Sequence, residues 1–404
     1  MGKCLWIGSY QAYESFLNMP IKNMGQASAR TSQDGLLRGL DQVLEKESII
    51  DSVGIIPYAP YPIYPQKKVK REEWSRHNGS VDVSAEYLNL KYLNYYTREK
   101  ALFAEVKLWA KKQLDGVDTV FVYAPSVGRM KAALWLRKKF GCKIIVVIPD
   151  IPENIFVGAD KIVLLAKKML RNQLFNQLKK SDGWVLYSEY MAEFYKLASN
   201  QWVLVEGVLN ENDITVLNNY QKKHKDKLIF MYSGSLDYCR GIREILGAFK
   251  KIDNPNIELW FAGTGQCDEL IKAEMMKDCR IKHCGFIFDR NIMLEMVKEV
   301  DILLHTRYTN EESLTKYSFP SKIFEYMASG NVVVSVRMDS IPEEYNEYLV
   351  YIDELSEDSL YSCMSALTEA GREELYTLGN KAKDFIVKNK NSKAQANKIK
   401  SLMR

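Results

Sequence analysis

The chain has 404 residues, of which 47% are hydrophobic and 26% are charged, and its formal net charge is +5. This length is sufficient for two domains with a hydrophobic core each, and the composition excludes a disordered or fibrous protein. Its longest apolar runs have the length of strands, so the sequence predicts no membrane-spanning helix. The seven scattered cysteines favour reduced thiols in a cytosolic protein.

The first half of the chain alternates strand and helix patterns. Its first segment, Cys4–Gly8, has the pattern of a buried strand and lacks the apolar stretch and cleavage site of a signal peptide. Further strands are predicted at Ser52–Ile56, Thr119–Tyr123, Lys143–Ile148, Gly183–Tyr187 and Trp202–Val205, and helices near Ala27–Glu45, Thr97–Gln113, Ser126–Lys139, Ile162–Lys180 and Glu189–Leu197. Such alternation implies a mainly parallel sheet with helices on both faces.

Two segments of this half suggest surface functions. The Pro- and Tyr-rich segment Pro57–Pro65 predicts a rigid loop beside a cleft, with a proline-rich ligand for another domain as the alternative. The helix at 162–180 interleaves leucines with Lys167, Lys168, Arg171, Lys179 and Lys180. This pattern indicates either a basic amphipathic surface for an anionic membrane or a helix that packs on the core. No nucleic-acid motif accompanies the basic residues, so we expect no nucleic-acid partner.

Residues 207–227 are polar and rich in Asn and Lys, and we predict that they link two domains. A second alternating unit follows, with strands at Leu228–Tyr232, Ile257–Ala262, Ile281–Cys284, Asp301–His305, Val332–Val336 and Leu349–Ile352, and helices that include Ile242–Lys251 and Met293–Val300. The last thirty residues have a helical pattern. We therefore divide the chain into domains at 1–206 and 228–381, a linker at 207–227 and a C-terminal helix at 382–404.

The segment from Tyr317 to Gly330 is the most informative. Pro320 is typical of a first helical position and Gly330 of a helix end, so about three turns of helix are predicted between them. The helix N-terminus and the charge of Lys322 suit a diphosphate. Glu325 lies about 8 Å along the axis from the predicted helix start at Pro320, where its carboxylate could accept both hydroxyls of a ribose. A solvated amphipathic helix is the alternative for this Lys/Glu pair alone.

Four segments together resemble a known family: Tyr317–Gly330 with its Phe-Pro-Ser-Lys…Phe-Glu-Tyr signature, Met231–Leu236 with Arg240-Gly241, Trp260–Gly265, and His283–Ile287. Over roughly residues 228–352 they resemble the donor-binding region of retaining GT-B glycosyltransferases of family four. The resemblance implies two Rossmann-like parallel-sheet domains that face a cleft, and a C-terminal helix that crosses back to the first domain.

The resemblance also implies a donor site that is formed by Gly234, Ser235, Arg240, Gly263, Gly285, Phe286, Ile287, Ser318, Phe319, Pro320, Ser321, Lys322 and Glu325. Gly234 and Gly241 bracket a strand-to-helix turn, where glycine lets the backbone approach a ligand closely. Arg240 could reach a diphosphate, with a surface arginine as the alternative. Ser235 stands where the family usually has a cation. Gly285, Phe286 and Ile287 are expected to line the nucleobase.

One position departs from the family pattern. The first of two glutamates that usually lie seven residues apart is replaced by Tyr317, and Glu311 and Glu312 lie too early to substitute for it. This departure puts the identity of the donor sugar in doubt more than nucleotide binding.

In the first domain, Gly25 could expose backbone N–H groups to the donor phosphate at a helix N-terminus. Asp150, at the end of a strand, could orient an acceptor hydroxyl, or it could be a turn cap. Asp150, Lys322 and Arg240 are therefore the candidate catalytic residues. No Asp-x-Asp motif stands where it would serve the donor, and Cys279, His283 and Cys284 lack a second ligand pair for zinc, so we expect neither a metal nor a cofactor.

The sequence thus predicts a metal-independent, cytosolic, retaining glycosyltransferase that uses a nucleotide sugar, expected to be a uridine diphosphate (UDP) sugar. The expected acceptor is a saccharide or a lipid-linked saccharide of a bacterial surface polysaccharide, with peripheral contact to the inner face of the membrane. The alternatives are a nucleotide-sugar epimerase of the same fold and a non-catalytic sugar-binding subunit.

Overall fold

The computed structural model describes residues 2–17, 24–44, 48–77, 79–151, 161–223, 226–308 and 315–404. The chain forms two compact units. Unit 1 comprises Met1–Val208 and Ser392–Arg404, and unit 2 comprises Leu209–Asn391.

The main part of unit 1 alternates strands and helices in the order β1 (Gly2–Gly8), α1 (Tyr13–Leu17), α2 (Met24–Leu44), β2 (Ser48–Gly54), β3 (Lys68–Val69), β4 (Glu72–Trp74), β5 (Asp82–Ser84), β6 (Tyr87–Leu88), α3 (Asn94–Lys111), β7 (Thr119–Tyr123), α4 (Val127–Phe140), β8 (Lys143–Ile148), α5 (Lys161–Leu178), β9 (Gly183–Leu186), α6 (Tyr190–Tyr195), a 3₁₀ turn (Ser199–Gln201) and β10 (Trp202–Leu204).

The principal sheet of unit 1 has the strand order β10-β9-β8-β7-β1-β2-β5-β4. Its neighbouring strands run parallel except β4, which pairs antiparallel with β5. Its central strands are buried on both faces, which explains their near-continuous apolar sequences. The predicted parallel sheet is thereby confirmed. The short strands β3 to β6 were not predicted, because segments of two or three residues carry no periodic signal.

Unit 2 continues with α7 (Glu211–Asn219), β11 (Leu228–Ser235), a 3₁₀ turn (Tyr238–Arg240), α8 (Ile242–Lys250), β12 (Ile257–Thr264), α9 (Asp268–Met275), β13 (Ile281–Gly285), α10 (Arg290–Glu299), β14 (Ile302–His305), α11 (Lys322–Ala328), β15 (Val332–Val336), a 3₁₀ turn (Glu343–Tyr345), β16 (Val350–Ile352), α12 (Glu357–Glu369) and α13 (Arg372–Asn389). The chain then returns to unit 1 with α14 (Ser392–Ser401).

The sheet of unit 2 is entirely parallel, with the strand order β13-β12-β11-β14-β15-β16. Alternate residues of β11 enter the two apolar layers that enclose it: Phe230 and Tyr232 pack in one layer, Ile229 and Met231 in the other. A sheet covered on both faces has mainly apolar side chains along its strands, so polar ligands meet it at the strand ends. The ends of β11 and its neighbours are therefore where a polar site can form.

Helix α14 packs closely against α2 within unit 1. An added Cβ atom on Gly39 of α2 would lie 2.1 Å from the carbonyl oxygen of Ser392, so only glycine permits this approach. Lys400 Nζ donates to the carbonyl oxygen of Val43 at 3.0 Å, and Gln395 Nε2 donates to that of Gly207 at 2.8 Å. These hydrogen bonds fix the last helix to the first unit.

Two predicted segments differ from the structure. The predicted linker, 207–227, contains α7 and belongs largely to unit 2. The predicted C-terminal helix, 382–404, is divided, because α13 ends at Asn389 within unit 2 and only Ser392–Arg404 joins unit 1. The missed α7 is a nine-residue helix in an Asn- and Lys-rich stretch, where composition outweighed a weak helical pattern.

The described part of α5 has apolar side chains both in the core and at the surface. Leu174 and Leu178 are buried, whereas Leu170 and Lys168 are exposed, as are Lys179 and Lys180 directly after the helix. The side chains of Leu164, Leu165 and Lys167 lie outside the described residues. Among the helices that the structure describes, none is both long and apolar enough to cross a bilayer.

Candidate functional site

The sheet of unit 2 reverses its strand order between β11 and β14. From this point the chain adds β12 and β13 on one side and β15 and β16 on the other. In open α/β sheets, ligands bind beyond the carboxyl ends of strands at such a reversal, because the following loops diverge there. We call the ends of β11 and β14, with the residues that follow them, the switch edge.

Lys322 reaches the switch edge from the first turn of α11. Its ammonium donates a 2.5 Å hydrogen bond to the carbonyl oxygen of Ser233 in β11. Burial lowers the pKa of Lys322 from 10.5 to about 8, with Glu325 opposing this shift and Arg240 adding to it. Among the described residues the Lys322 ammonium has no ion pair within 4.0 Å, so its charge is held near a backbone dipole and lacks an anionic partner.

Two glycines make room for this arrangement. Gly234 has a φ of 145°, and a Cβ atom there would lie 2.7 Å from Lys322 Nζ. Gly263, its partner in β12, has a φ of 142°, and a Cβ atom there would lie 1.8 Å from the carbonyl oxygen of Gly234. Both positions therefore require glycine, for the positive φ and for the close approach of two strand ends.

Tyr326 anchors α11 to the same strand. Its buried hydroxyl lies 2.8 Å from Ser233 Oγ and accepts a hydrogen bond from the Ser233 N–H at 3.2 Å. Burial raises the pKa of Tyr326 to about 12, which keeps the phenol neutral. Tyr326 belongs to the sequence motif, but no role was predicted for it. Its position one turn after Lys322, on the same helix face, could have indicated one.

The helix that carries Lys322 is shorter than predicted. It begins at Lys322, and Pro320 precedes the helix instead of occupying its first position. The N–H of Ile323 bonds to the carbonyl oxygen of Pro320 at 3.0 Å, so the chain enters α11 through a tighter turn. Gly330, with a φ of 77°, ends it as predicted.

The residues before α11 divide between core and surface. Phe319 is buried, with ring centroids 5.1 Å from Phe324 and 5.5 Å from Tyr345. Ser318 is half-buried and Ser321 is exposed. Phe319 therefore has a packing role, and the predicted donor contacts of this segment are limited to its polar neighbours. Glu311 and Glu312 lie outside the described residues.

Arg240 supplies a second cation to the switch edge. Its backbone is fixed by Thr306, whose hydroxyl donates to the Arg240 carbonyl oxygen at 2.5 Å. No hydrogen bond or ion pair of its guanidinium is found in the described part of the chain. Burial, and then the charges of Lys322, Arg240 and Arg307, lower the pKa of His305 from 6.5 to about 3. The lowered pKa of His305 therefore indicates a positive electrostatic potential at the end of β14. The sequence around His305 did not predict this.

Ser235 has an internal partner, as its hydroxyl donates to the Asp237 carboxylate. This bond, with one from the N–H of Gln266 at 3.1 Å, lowers the pKa of Asp237. The N–H of Gly265 in the same loop bonds to Asp268 at 3.0 Å. Ser235 therefore helps to hold the loop after β12. It does not supply the positive charge that the resembled family usually has at this position.

The segment after β13 offers an open surface. Gly285 has a φ of 69°, and a Cβ atom there would meet no described atom within 4 Å. Phe286 is 48% exposed, and Ile287 packs partly on the core layer that includes residues of α11. The placement is compatible with the predicted lining of a base by these three residues, which stays a prediction.

Glu325 is held by a network that sequence analysis missed. Arg290 Nη2 lies 3.0 Å from Glu325 Oε1. The same guanidinium makes two hydrogen bonds to Asp213 of α7, at 2.9 and 2.7 Å. Burial opposes the charged form of Arg290, but Glu325 and Asp213 outweigh it and raise its pKa. An arginine in the first turn of α10, where the helix dipole disfavours a cation, was the available signal.

The two remaining predicted residues belong to unit 1. Gly25 lies in the first turn of α2, which begins at Met24, earlier than the predicted Ala27. Its backbone N–H is therefore among those that lack a partner within the helix. Asp150 follows the end of β8 and is exposed. Its negative charge helps to raise the pKa values of Tyr123 and Tyr187 after the larger effect of burial.

The chain is similar to known proteins both in the sequence of its second half and in its fold. Residues 227–370 match the family model of glycosyl transferases group 1. No curated protein matches the chain significantly in sequence. The structure is similar to a sucrose-phosphate synthase from Thermosynechococcus elongatus, with a TM-score of 0.61 and 14% identity, covering 100% of this chain and 98% of that chain.

Two other solved structures have comparable similarity. An alpha,alpha-trehalose-phosphate synthase (UDP-forming) from Burkholderia xenovorans, in complex with glucose-6-phosphate, has a TM-score of 0.61 and 9% identity, with 100% of both chains covered. HepE from Anabaena, in complex with UDP and glucose, has a TM-score of 0.60 and 11% identity, with 99% of this chain and 98% of that chain covered. Identities this low establish the GT-B fold alone. The group 1 match within that fold shows that the protein is a glycosyltransferase.

Proposed function

We propose that the protein transfers a glycosyl group from a UDP-sugar to a hydroxyl of a saccharide acceptor, with retention at the anomeric carbon. The observation that carries this proposal is the pair of cations at the switch edge. Lys322 bonds to a backbone carbonyl and Arg240 has no ion pair among the described residues. A nucleoside diphosphate would supply the anionic partner that neither cation has among the described residues. UDP in one similar structure, and a UDP-forming reaction in the name of another, support this donor.

In this proposal each cation acts on the leaving group. As the bond between the sugar and the diphosphate breaks, negative charge grows on the diphosphate oxygens. Lys322 and Arg240 stabilise that charge at fixed positions, which lowers the barrier because they need no reorganisation. Glu325, oriented by Arg290, accepts the ribose hydroxyls. Backbone N–H groups near Gly25 and the carboxylate of Asp150 are proposed to meet the donor phosphate and the acceptor hydroxyl, respectively.

The proposal extends to the acceptor and the cellular setting. We propose a lipid-linked saccharide of a bacterial surface polysaccharide as the acceptor, in the cytoplasm and at the inner face of the membrane, with no metal or cofactor. Lys168 of α5 and Lys179 and Lys180, which directly follow this helix, are exposed and support contact with an anionic surface.

Calorimetric titration with UDP, UMP and uridine tests the donor site. We expect wild type to bind UDP more tightly than uridine. Lys322→Ala and Arg240→Gln should each lower the affinity for UDP by about tenfold or more, which equals about 1.4 kcal/mol. Uridine should be affected little, because it lacks the phosphates. Arg243→Gln is the matched control, since it removes a nearby guanidinium that stacks on Tyr238 at 4.2 Å.

Two outcomes would contradict the proposal. Equal losses of UDP and uridine affinity in both variants would place the phosphates elsewhere. Conversion of the donor sugar without any added acceptor, measured as an epimerised nucleotide sugar, would favour the epimerase alternative.

A further inference from the structure

Arg30 of α2 lies in an aromatic environment near the end of β1. Its guanidinium carbon is 4.9 Å from the ring centroid of Tyr13, 5.6 Å from that of Phe16 and 5.8 Å from that of Tyr10. Three aromatic rings within 6 Å of the guanidinium stabilise the cation and remove part of its hydration shell. The faces of a guanidinium can be covered in this way while its N–H groups, which lie in its plane, stay available to a ligand.

Those N–H groups have no protein partner among the described residues. Arg30 Nε is buried and makes no hydrogen bond there. The neighbouring side chains on the same helix face are occupied. Gln33 accepts from Trp6 Nε1 at 3.2 Å, and Asp34 accepts from Tyr10 at 2.7 Å and from Arg38 at 2.8 Å. Residues 17–28, several of which lie outside the described part, contain no Asp or Glu that could supply a carboxylate.

Arg76, a second arginine near Tyr10, differs from Arg30 because its guanidinium has hydrogen-bond partners. Arg76 lies 5.9 Å from the ring of Tyr10. It makes two hydrogen bonds to Asp41, at 2.8 and 3.1 Å, one to Asp82 at 2.5 Å, and one to the carbonyl oxygen of Ile50 at 3.0 Å. Arg76 is thus a satisfied structural arginine. A buried donor without a partner costs stability, and an ion that binds there removes that cost.

The position of Arg30 is that of a ligand site. Tyr10 lies two residues beyond the end of β1, at the carboxyl edge of the parallel sheet of unit 1, where open α/β sheets bind ligands. A guanidinium has five N–H donors, and a terminal phosphate offers three oxygens to them where a carboxylate offers two. The N–H donors of Arg30 that have no partner among the described residues therefore suit a phosphate group.

We infer that Arg30 binds a phosphate group of the acceptor substrate. This inference rests on the proposed function, because unit 1 is the proposed acceptor side, and it specifies that function by making the acceptor a phosphorylated molecule. The phosphate belongs either to a soluble sugar phosphate or to an isoprenyl lipid carrier, and the chemistry that Arg30 recognises is the same in both.

Calorimetry on the full-length protein tests the inference, with UDP present at saturation so that the donor site is occupied. Glucose 6-phosphate and geranyl pyrophosphate represent the two phosphate sources, and glucose and glucuronate serve as comparisons at constant ionic strength. We expect at least one phosphate probe to bind about tenfold or more tightly than glucose and glucuronate. Arg30→Gln should remove this preference and leave UDP affinity unchanged, whereas Arg38→Gln should keep it.

Binding of neither phosphate probe to wild type, tighter binding of glucuronate, or equal phosphate binding by Arg30→Gln would overturn the inference. If Arg30→Gln does not fold, the Nε–H resonance of Arg30 in wild type decides, since phosphate contact must shift it and an unshifted resonance refutes the contact. Failure of the proposed function would be seen separately, as absence of UDP binding in wild type.

Discussion

Arg290 and Glu325 form an ion pair of 3.0 Å that joins α10 to α11. Asp213 of α7 holds the other side of the same guanidinium. A carboxylate has several acceptor positions, so Glu325 can keep this bond through Oε1 and still accept hydrogen bonds through Oε2. Arg290 therefore sets the orientation in which Glu325 would meet a ribose.

The first prediction concerns Glu325→Gln. This change keeps the shape of the side chain but weakens charge-assisted hydrogen bonds, which are worth roughly 1.5–3 kcal/mol. We expect UDP affinity, measured by calorimetry, to fall by about tenfold or more. A 2′-deoxyribose analogue of UDP should bind wild type less tightly but lose little further affinity in the variant, because both changes remove the same contact.

The melting temperature of unliganded Glu325→Gln is the control. It should stay near that of wild type, since Arg290 keeps its two bonds to Asp213. Additive losses from the deoxy analogue and the substitution would mean that Glu325 does not contact the ribose.

The network around Glu325 also shows what the sequence could and could not predict. The alternation of apolar strands and amphipathic helices predicted the parallel sheets, because a strand buried on both faces has a distinctive composition. Gly234, Lys322 and Gly330 were found because their roles depend on local backbone geometry and charge. The pairing of Arg290 with Glu325 and Asp213 depends on three elements that are distant in the chain, and no local pattern encodes such a contact.

The entry to α11 shows a second limit. Pro320 favours a first helical position, but the burial of Phe319 against Phe324 and Tyr345 fixes the preceding chain in a tighter turn. The helix therefore starts at Lys322. Tertiary packing outweighed the local preference, and the consequence is a shorter helix with its lysine at the switch edge.

The second prediction concerns the protonation of Lys322. Burial lowers its pKa from 10.5 to about 8 in the folded protein. Below pH 8 both states carry the proton, and the folded state bears the full cost of the buried charge. Between about pH 8 and 10.5 the unfolded state binds more protons, so this cost declines as pH rises. Urea denaturation of wild type and Lys322→Met should therefore show wild type gaining relative stability across this window. A constant difference would contradict the buried charge.

The third prediction concerns His305, whose pKa is lowered to about 3 by burial and then by neighbouring cations. The chain has four histidines, so their ring resonances can be assigned by NMR. The His305 resonance should not titrate between about pH 7 and 4. Because the unfolded state takes up the proton near pH 6.5, the free energy of unfolding decreases as pH falls from 6.5 toward 3. This decrease should be smaller in His305→Gln than in wild type.

UDP binding gives this prediction a control. A diphosphate beside Lys322 and Arg240 would neutralise part of the field at His305 and raise its pKa. An unchanged His305 titration in UDP-saturated protein would place the diphosphate away from the switch edge.

The fourth prediction is metal independence of transfer. In the proposed function, Lys322 and Arg240 supply the positive charge that stabilises the leaving group, so we expect no requirement for a divalent cation. Turnover of a UDP-sugar should therefore persist in excess chelator. Loss of turnover that magnesium or manganese restores would refute this expectation.

The last prediction compares two glycines with positive φ. At Gly234, a Cβ atom would lie 2.7 Å from Lys322 Nζ, whereas at Gly285 it would meet no atom of the described residues within 4 Å. Alanine is strained at both positions, with φ values of 145° and 69°, so each variant should lose stability. Only Gly234→Ala should also displace the lysine. We expect Gly234→Ala to lower the affinity for UDP by about tenfold or more without a matching loss of affinity for uridine. Gly285→Ala should change the affinities for UDP and uridine by similar factors. Equal effects of the two variants on UDP would mean that the contact between Gly234 and Lys322 does not position the diphosphate.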